Sequence, residues 1–256
     1  LIFKGGKGMI QLDHISLNLG DGVEIIKDIS LEFEKGKLYV ITGPNGGGKT
    51  SVAKVMMGIY PPSGGRVYLD GQDITNHSIT ERAKQGIRYA FQHPPRFKGI
   101  DIKWFLRLAD PTIQESQIRN TLRLIGLCPE DYVGRVADAG LSGGEMKRLE
   151  IASVLLGQNK VAILDEPEAG VDLWGFEQLM DFVIRSHRHS QERTTILISH
   201  SEKFLEAADE IIIIAGGKVQ ERGKMDTIRP LIEEGIHCRW RKVCLEGMDD
   251  EAQCAR

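Results

Sequence analysis

From Ile10 onward, the apolar positions Ile10, Leu12, Ile15, Leu17 and Leu19 roughly alternate with polar ones. Asp21-Gly22 then supplies a turn signal and residues 23–33 run back, so residues 10–42 read as strands. Residues 38–41 form a short apolar run ending at Gly43, the pattern of a buried strand entering a loop. Residues 50–57 predict a helix with Gly58 just beyond its end. Residues 61–65, Pro-Pro-Ser-Gly-Gly, read as a loop and 66–69 as a strand. Ser78 with Glu81 three residues on makes a capping box for a helix that stops near Gly86, and 87–91 predict another strand. Between Gln92 and Leu141 strand-like runs cease, while 102–108 and 113–127 carry apolar residues at helical spacing. Beyond them, 161–164, 194–198 and 210–214 are apolar, β-branched runs separated by helical segments, including 146–156. The alternation predicts an α/β fold, a largely parallel sheet covered by helices. The expected division is a core of residues 9–91 and 142–240, a helical subdomain of 92–141 and a loose tail of 241–256. Met9 is taken as the native start, with residues 1–8 set aside from the fold.

Composition narrows the classes. The chain has 256 residues, 41% of them apolar, enough for one large domain or a core with a modest insert. A formal charge of −3, from 33 basic and 36 acidic residues, argues against a general nucleic-acid surface. No run of about 18 apolar residues occurs, so no membrane insertion is expected. Residues 1–8 lack an apolar signal region, and Cys128, Cys238, Cys244 and Cys254 show no CxxC spacing. The reading is a cytoplasmic protein with reduced thiols. A metal or cluster site on the three C-terminal cysteines is the sharper, less favoured alternative.

Three motifs carry chemistry. Gly43-Pro44-Asn45-Gly46-Gly47-Gly48-Lys49-Thr50 is a full G-x-x-x-x-G-K-[ST] match that follows an apolar strand and opens a helix. Its glycines let backbone N–H groups curl around phosphates, and the helix N-terminus adds positive potential there. Lys49 is placed to reach the β- and γ-phosphates of ATP and the Thr50 hydroxyl to ligate Mg²⁺, with Ser51 next in the helix. A strand at 161–164 ends in Asp165 and Glu166: the first suits Mg²⁺, the second a general base acting on water. Leu141-Ser142-Gly143-Gly144-Glu145 precedes a helix that Ser142 caps, and Gly143 and Gly144 are expected to leave its end sterically open to an anion. One chain has only one γ-phosphate to serve, so this second anion site points to completion by another molecule.

The order and spacing of these motifs resemble those of ATP-binding cassette (ABC) ATPases over residues 9 to about 235. Gln92 after its strand resembles the family's Q-loop, Asp172 in Gly170-Val171-Asp172 its D-loop, and His200 its switch histidine. The resemblance implies a P-loop ABC ATPase with a RecA-like core, an N-terminal antiparallel β subdomain and a small α-helical subdomain. It also implies a head-to-tail, ATP-dependent homodimer, in which ATP on Lys49 of one subunit is closed over by Ser142 and Gly144 of the other. It makes Glu166, His200, Gln92 and Lys49 the catalytic set. Residues 43–51 with Ser142, Gly144 and Asp172 would be nucleotide-binding, and Thr50, Gln92 and Asp165 metal-binding. One departure is that no aromatic residue stands near 17–20, where the family stacks one on adenine, so the base contact is expected to be apolar and weaker.

Within the family, several stretches resemble the SufC group, the ATPases of the SUF iron–sulfur cluster assembly machinery. They are Gly71-Gln72-Asp73-Ile74, Ala90-Phe91-Gln92-His93-Pro94-Pro95, Phe105-Leu106-Arg107-Leu108-Ala109 and the run from Ser142 to Ile151, in which Lys147-Arg148-x-Glu150 is the most telling. This implies a SufB/SufD-like scaffold protein as partner. After Glu166, Pro167-Glu168-Ala169-Gly170 is nearer the ordinary cassette pattern, which fits a divergent branch. The alternative is the cytoplasmic ATPase subunit of an ABC membrane transporter. A DNA-repair cassette is disfavoured, because about 50 residues between 92 and 141 give a coiled coil too little reach. Pro94, Pro95, Phe97, Ile100, Trp104 and Phe105 suit either a partner groove or the core of the helical insert. Arg185-Ser186-His187-Arg188-His189 reads as a solvated helix end rather than a metal or nucleic-acid site.

Overall fold

The computed structural model describes residues 8–20, 22–137 and 140–233. Cys238, Cys244, Cys254 and the tail lie outside these residues. Strands β1 (Gly8–Leu19) and β2 (Val23–Glu34) pair antiparallel, as the alternation predicts. Gly8 is the first residue of β1, so it belongs to the fold rather than to the part set aside. After β3 (Leu38–Thr42) and helix α1 (Lys49–Met57), strand β4 (Gly64–Leu69) returns to pair with β1, and the two-residue β5 (Gln72–Asp73) completes a four-stranded antiparallel sheet ordered β2-β1-β4-β5. Helix α2 (Ile79–Lys84) carries the expected capping box between Ser78 and Glu81. Arg82 of α2 is buried and donates to the carbonyls of Val55 and Met56, closing the open C-terminal end of α1.

Strand β6 (Ile87–Ala90) leads into the insert, α3 (Ile102–Ala109), α4 (Glu115–Leu124) and α5 (Pro129–Tyr132). The run predicted as one helix over 113–127 is shorter. Gln114 caps its start, and Gly126, at φ 72°, takes the left-handed conformation that ends it. Then follow α6 (Gly143–Leu156), β7 (Val161–Asp165), α7 (Leu173–His189), β8 (Thr194–Ile198), α8 (Glu202–Ala207), β9 (Glu210–Ala215), β10 (Lys218–Gly223) and α9 (Met225–Glu233). Helix α6 starts three residues before the apolar run suggests, because Ser142 caps it. Strand β10 is invisible to hydropathy. It is a polar edge strand whose pairing with β9, not its composition, makes it a strand.

The second sheet is ordered β10-β9-β3-β8-β7-β6 and is parallel except for β10. Its five parallel strands are apolar at most positions because both faces are covered. Tyr39, Ile41, Ile163, Ile196 and Ile198 pack toward α1 and the antiparallel sheet. Val40, Ala162, Leu164, Leu197 and Ile211 pack against α3, α4, α6 and α7. No helix among the described residues is long and apolar enough to cross a membrane.

Candidate nucleotide-binding site

Registers in the parallel sheet put the carboxyl ends of β3, β8, β7 and β6 side by side: Ile41 faces Ile198, Asp165 faces Ile198, and Ala90 faces Leu164. Ligands of open α/β sheets bind at such an edge. The phosphate loop leaves β3, Asp165 ends β7, His200 follows β8 and Gln92 follows β6. These four segments enclose a cavity of about 860 Å³, lined by Asn45 to Ser51, Gln92, Glu166, Glu168 and His200.

The loop is shaped by glycine at two points. At Gly43, φ is 132° and an added Cβ would lie 2.1 Å from the Ile214 carbonyl oxygen; Gly48, at φ 102°, turns directly into α1. Lys49 is buried, and its Nζ donates to the carbonyls of Gly43 (2.7 Å) and Pro44 (2.8 Å), so those two residues form the loop's base rather than the cavity wall. Desolvation lowers the Lys49 pKa, against the raising effect of Glu166 and Asp165.

Asp165 itself does not line the cavity. The Thr50 hydroxyl donates to its Oδ1 at 3.0 Å and the buried Tyr89 hydroxyl to its Oδ2 at 2.7 Å. Sequence reasoning missed Tyr89. The signal was its place on the strand that delivers Gln92, on the face packed toward α1. Glu166 has φ 44°, a left-handed conformation uncommon for a non-glycine residue and frequent at functional sites. Its N–H donates to the Ile198 carbonyl at 3.0 Å, and its Oε2 accepts from Gln92 Nε2 at 2.6 Å. Glu168, also missed, accepts from the Ser199 hydroxyl (2.7 Å) and the His200 N–H (3.2 Å), anchoring the histidine's loop. His200 Nδ1 is 3.3 Å from Thr42 Oγ1, and desolvation followed by the Lys49 charge lowers its pKa, favouring neutral imidazole.

Strand β2 also lines the cavity. Val23 and Ile25 of β2 line it with Glu24 and Lys27, and no aromatic ring does so among the described residues. The wall comes from the second strand of the hairpin instead of residues 17–20, because Leu17 points into the core at 1% exposure.

Ser142, Gly144 and Asp172 do not line this cavity; they form a second group. Ser142 and Glu145 make a capping box, with Glu145 N–H to Ser142 Oγ at 3.2 Å and Ser142 N–H to Glu145 Oε2 at 2.7 Å. Gly143 is open as expected, but Gly144 is not. It is buried, and an added Cβ would lie 2.8 Å from the Gly170 carbonyl oxygen. The glycine there permits close packing of α6 on the loop before Asp172. Asp172 caps α7, accepting from Gly175 N–H at 2.9 Å.

A family profile described as "ABC transporter" matches residues 26–169. The uncharacterized ABC transporter ATP-binding protein MJ0035 of Methanocaldococcus jannaschii is 38% identical over 209 residues, covering 78% of this chain and 83% of that protein. The probable ATP-dependent transporter SufC of Escherichia coli is 28% identical, over 89% of this chain and 97% of its own length. The sulfate/thiosulfate import ATP-binding protein CysA of Synechocystis is 30% identical over 86% of this chain but only 61% of its own. Among solved structures, the dimeric post-hydrolysis state of the ATP-binding cassette MJ0796 with ADP and Pi aligns at a TM-score of 0.72 and 19% identity, covering 85% of this chain and 99% of that one. The chain belongs to the ABC transporter family. It is an ABC-type ATPase, with the mixed α/β fold of the cassette.

Proposed function

We propose that the chain hydrolyses Mg-ATP in the cavity above β3, β7 and β8, within a head-to-tail homodimer, and that the resulting motion works on an iron–sulfur cluster assembly scaffold of the SufB/SufD kind. The observation that carries the ATP site is the convergence of the Lys49 loop, the Thr50–Asp165 pair and the Gln92–Glu166 pair on one cavity. Loop amides and Lys49 hold the phosphates, and Val23 and Ile25 meet the base. The donor set of Thr50 hydroxyl, Asp165 carboxylate and Gln92 amide oxygen is all oxygen and suits Mg²⁺. Bound there, the ion would neutralise charge on the β- and γ-phosphates. Glu166 takes the proton of the attacking water while Gln92 holds its carboxylate in place. Neutral His200 faces the γ-phosphate. Ser142 and Gly144, away from the chain's own cavity, close over a partner's ATP, with Asp172 at the same contact.

The SUF reading rests on the Lys147-Arg148-x-Glu150 run and on co-extension with SufC, of which this chain covers 97%. It also rests on the exposed face of α3. Phe105 is core and Phe97 packs on it at 5.4 Å, so the aromatic cluster divides. Trp104 and Leu108 stay 58% and 53% exposed on α3, with Arg107 exposed on the same helix and Arg96 and Lys98 exposed in the segment before it. Such a surface takes an amphipathic partner helix with acidic flanks. Trp104→Glu is expected to weaken scaffold co-purification on co-expression by at least about 10-fold, with ATP affinity unchanged. The CysA relative and the family's description favour a second reading, a transporter's ATPase subunit. Recovery of a transmembrane permease with no cluster-assembly protein would establish that reading and end the SUF one.

A further inference from the structure

Helix α6 does more than present Ser142 at its tip. Two residues on its buried face, Lys147 and Glu150, lie at 0% and 4% exposure, where unpaired charge is costly. The Lys147 ammonium donates to the carbonyls of Phe91, Gln92 (3.4 Å) and Asp165 (2.9 Å). Glu150 Oε1 accepts the Phe91 N–H at 2.9 Å, and its Oε2, which accepts no hydrogen bond among the described residues, lies 3.9 Å from Lys147 Nζ. The pair therefore straddles the residue before Gln92, one side chain taking its carbonyl and the other its N–H. The same ammonium holds the peptide that leads into Glu166. Gln92 and Glu166 are the two residues whose side chains meet at 2.6 Å in the cavity.

We infer that Lys147 and Glu150 are positioning residues for hydrolysis: they fix the backbone roots of Gln92 and Glu166 relative to each other, and so set the geometry of the base. Burial is the largest influence on both groups, pushing Glu150 up to about 7 and lowering Lys147, so the pair persists through its backbone partners rather than through solvation. Next to them, Arg148 donates to the carbonyls of Ile125 (2.8 Å) and Gly126 (3.1 Å) at the end of α4. One helix thus fastens the insert, the approach to Gln92 and the end of β7. Because it begins at Ser142, it also joins this chain's own base to the surface that meets a partner's ATP, a consequence that rests on the dimer reading above.

The experiment compares Lys147→Met, Glu150→Gln, Glu150→Leu and the double variant Lys147→Met/Glu150→Leu, measuring melting temperature, ATP Kd, kcat and KM. The Lys147→Met and Glu150→Leu changes are expected to lower kcat by about 10²-fold, the scale of a misplaced reacting group, and to shift the ATP Kd by no more than about threefold. Glu150→Gln keeps an acceptor for the Phe91 N–H and should restore kcat to within about fivefold of wild type. The double variant leaves no unpaired buried charge, so it should melt near wild type and still hydrolyse slowly. A double variant that hydrolyses at the wild-type rate would overturn the inference. So would a set in which activity only follows the folded fraction, since the pair would then be ordinary core. Adding Lys147→Met to Glu166→Gln separates the two readings. ATP should still trap a dimer, because Ser142 and Gly144 are untouched. If Glu166→Gln alone gives no dimer, the dimer reading fails, and the kcat-against-Kd split still decides the role of the pair.

Discussion

Replacing Glu166 by Gln is expected to lower the steady-state ATPase rate by ~10²–10⁴-fold, the usual loss when a general base is removed, while ATP stays bound. The substitution keeps the side chain's shape and its capacity to accept from Gln92 Nε2, so the cavity should keep its form. Only basicity is lost. The backbone at φ 44° is set by the Ile198 and Ala169 hydrogen bonds, which do not involve the side chain. Phosphate release under saturating ATP, followed by recovery of unhydrolysed nucleotide from the protein, checks both halves. Hydrolysis at the wild-type rate would remove Glu166 from the role of base.

The second large effect is at Lys49. Alanine there removes the charged donor proposed for the β- and γ-phosphates, and charged hydrogen bonds contribute about 1.5–3 kcal/mol each, or roughly 10- to 150-fold in affinity. Hydrolysis should fall below detection. The loop itself should survive. Gly47 N–H still reaches the Pro44 carbonyl at 3.1 Å, and Gly217 N–H the Gly47 carbonyl at 3.1 Å. Stability should not fall sharply either. The folded-state pKa of Lys49 lies below its ordinary value, so the charged form opposes folding at neutral pH, and its removal offsets the two lost carbonyl contacts. Isothermal titration with ATP and a melting curve test this. Unchanged ATP affinity would show that residues 43–50 are not the phosphate site.

Much of this architecture is legible along the chain, for a physical reason. A strand core buried on both faces is apolar, so residues 161–164 and 211–214 announce themselves, and a phosphate loop needs its glycines in sequence. What stays hidden is contact across the fold. Nothing local in Tyr89 says that its hydroxyl meets Asp165, 76 residues away, or that Glu168 holds the loop of His200. Hydropathy likewise could not divide Trp104 from Phe105, neighbours on α3 whose positions differ by one step of the helix, one outward and one in the core. Gly144 reads as open along the chain because its need for a missing Cβ comes from Gly170, which is remote in sequence. The polar β10 is a strand only through β9.

The most direct measurement is the mass of the Glu166→Gln protein in solution, with and without Mg-ATP, by size-exclusion chromatography with light scattering. In the proposed head-to-tail dimer ATP would carry much of the contact between two copies that otherwise meet through polar loops, so nucleotide should drive their association. The free protein is expected at its chain mass of 28.5 kDa, and the protein with Mg-ATP at twice that. The dimer should vanish when Lys49→Ala is added. A mass that is the same in both conditions, or a dimer that persists without nucleotide through surfaces away from Ser142 and His200, would contradict a site completed by two chains.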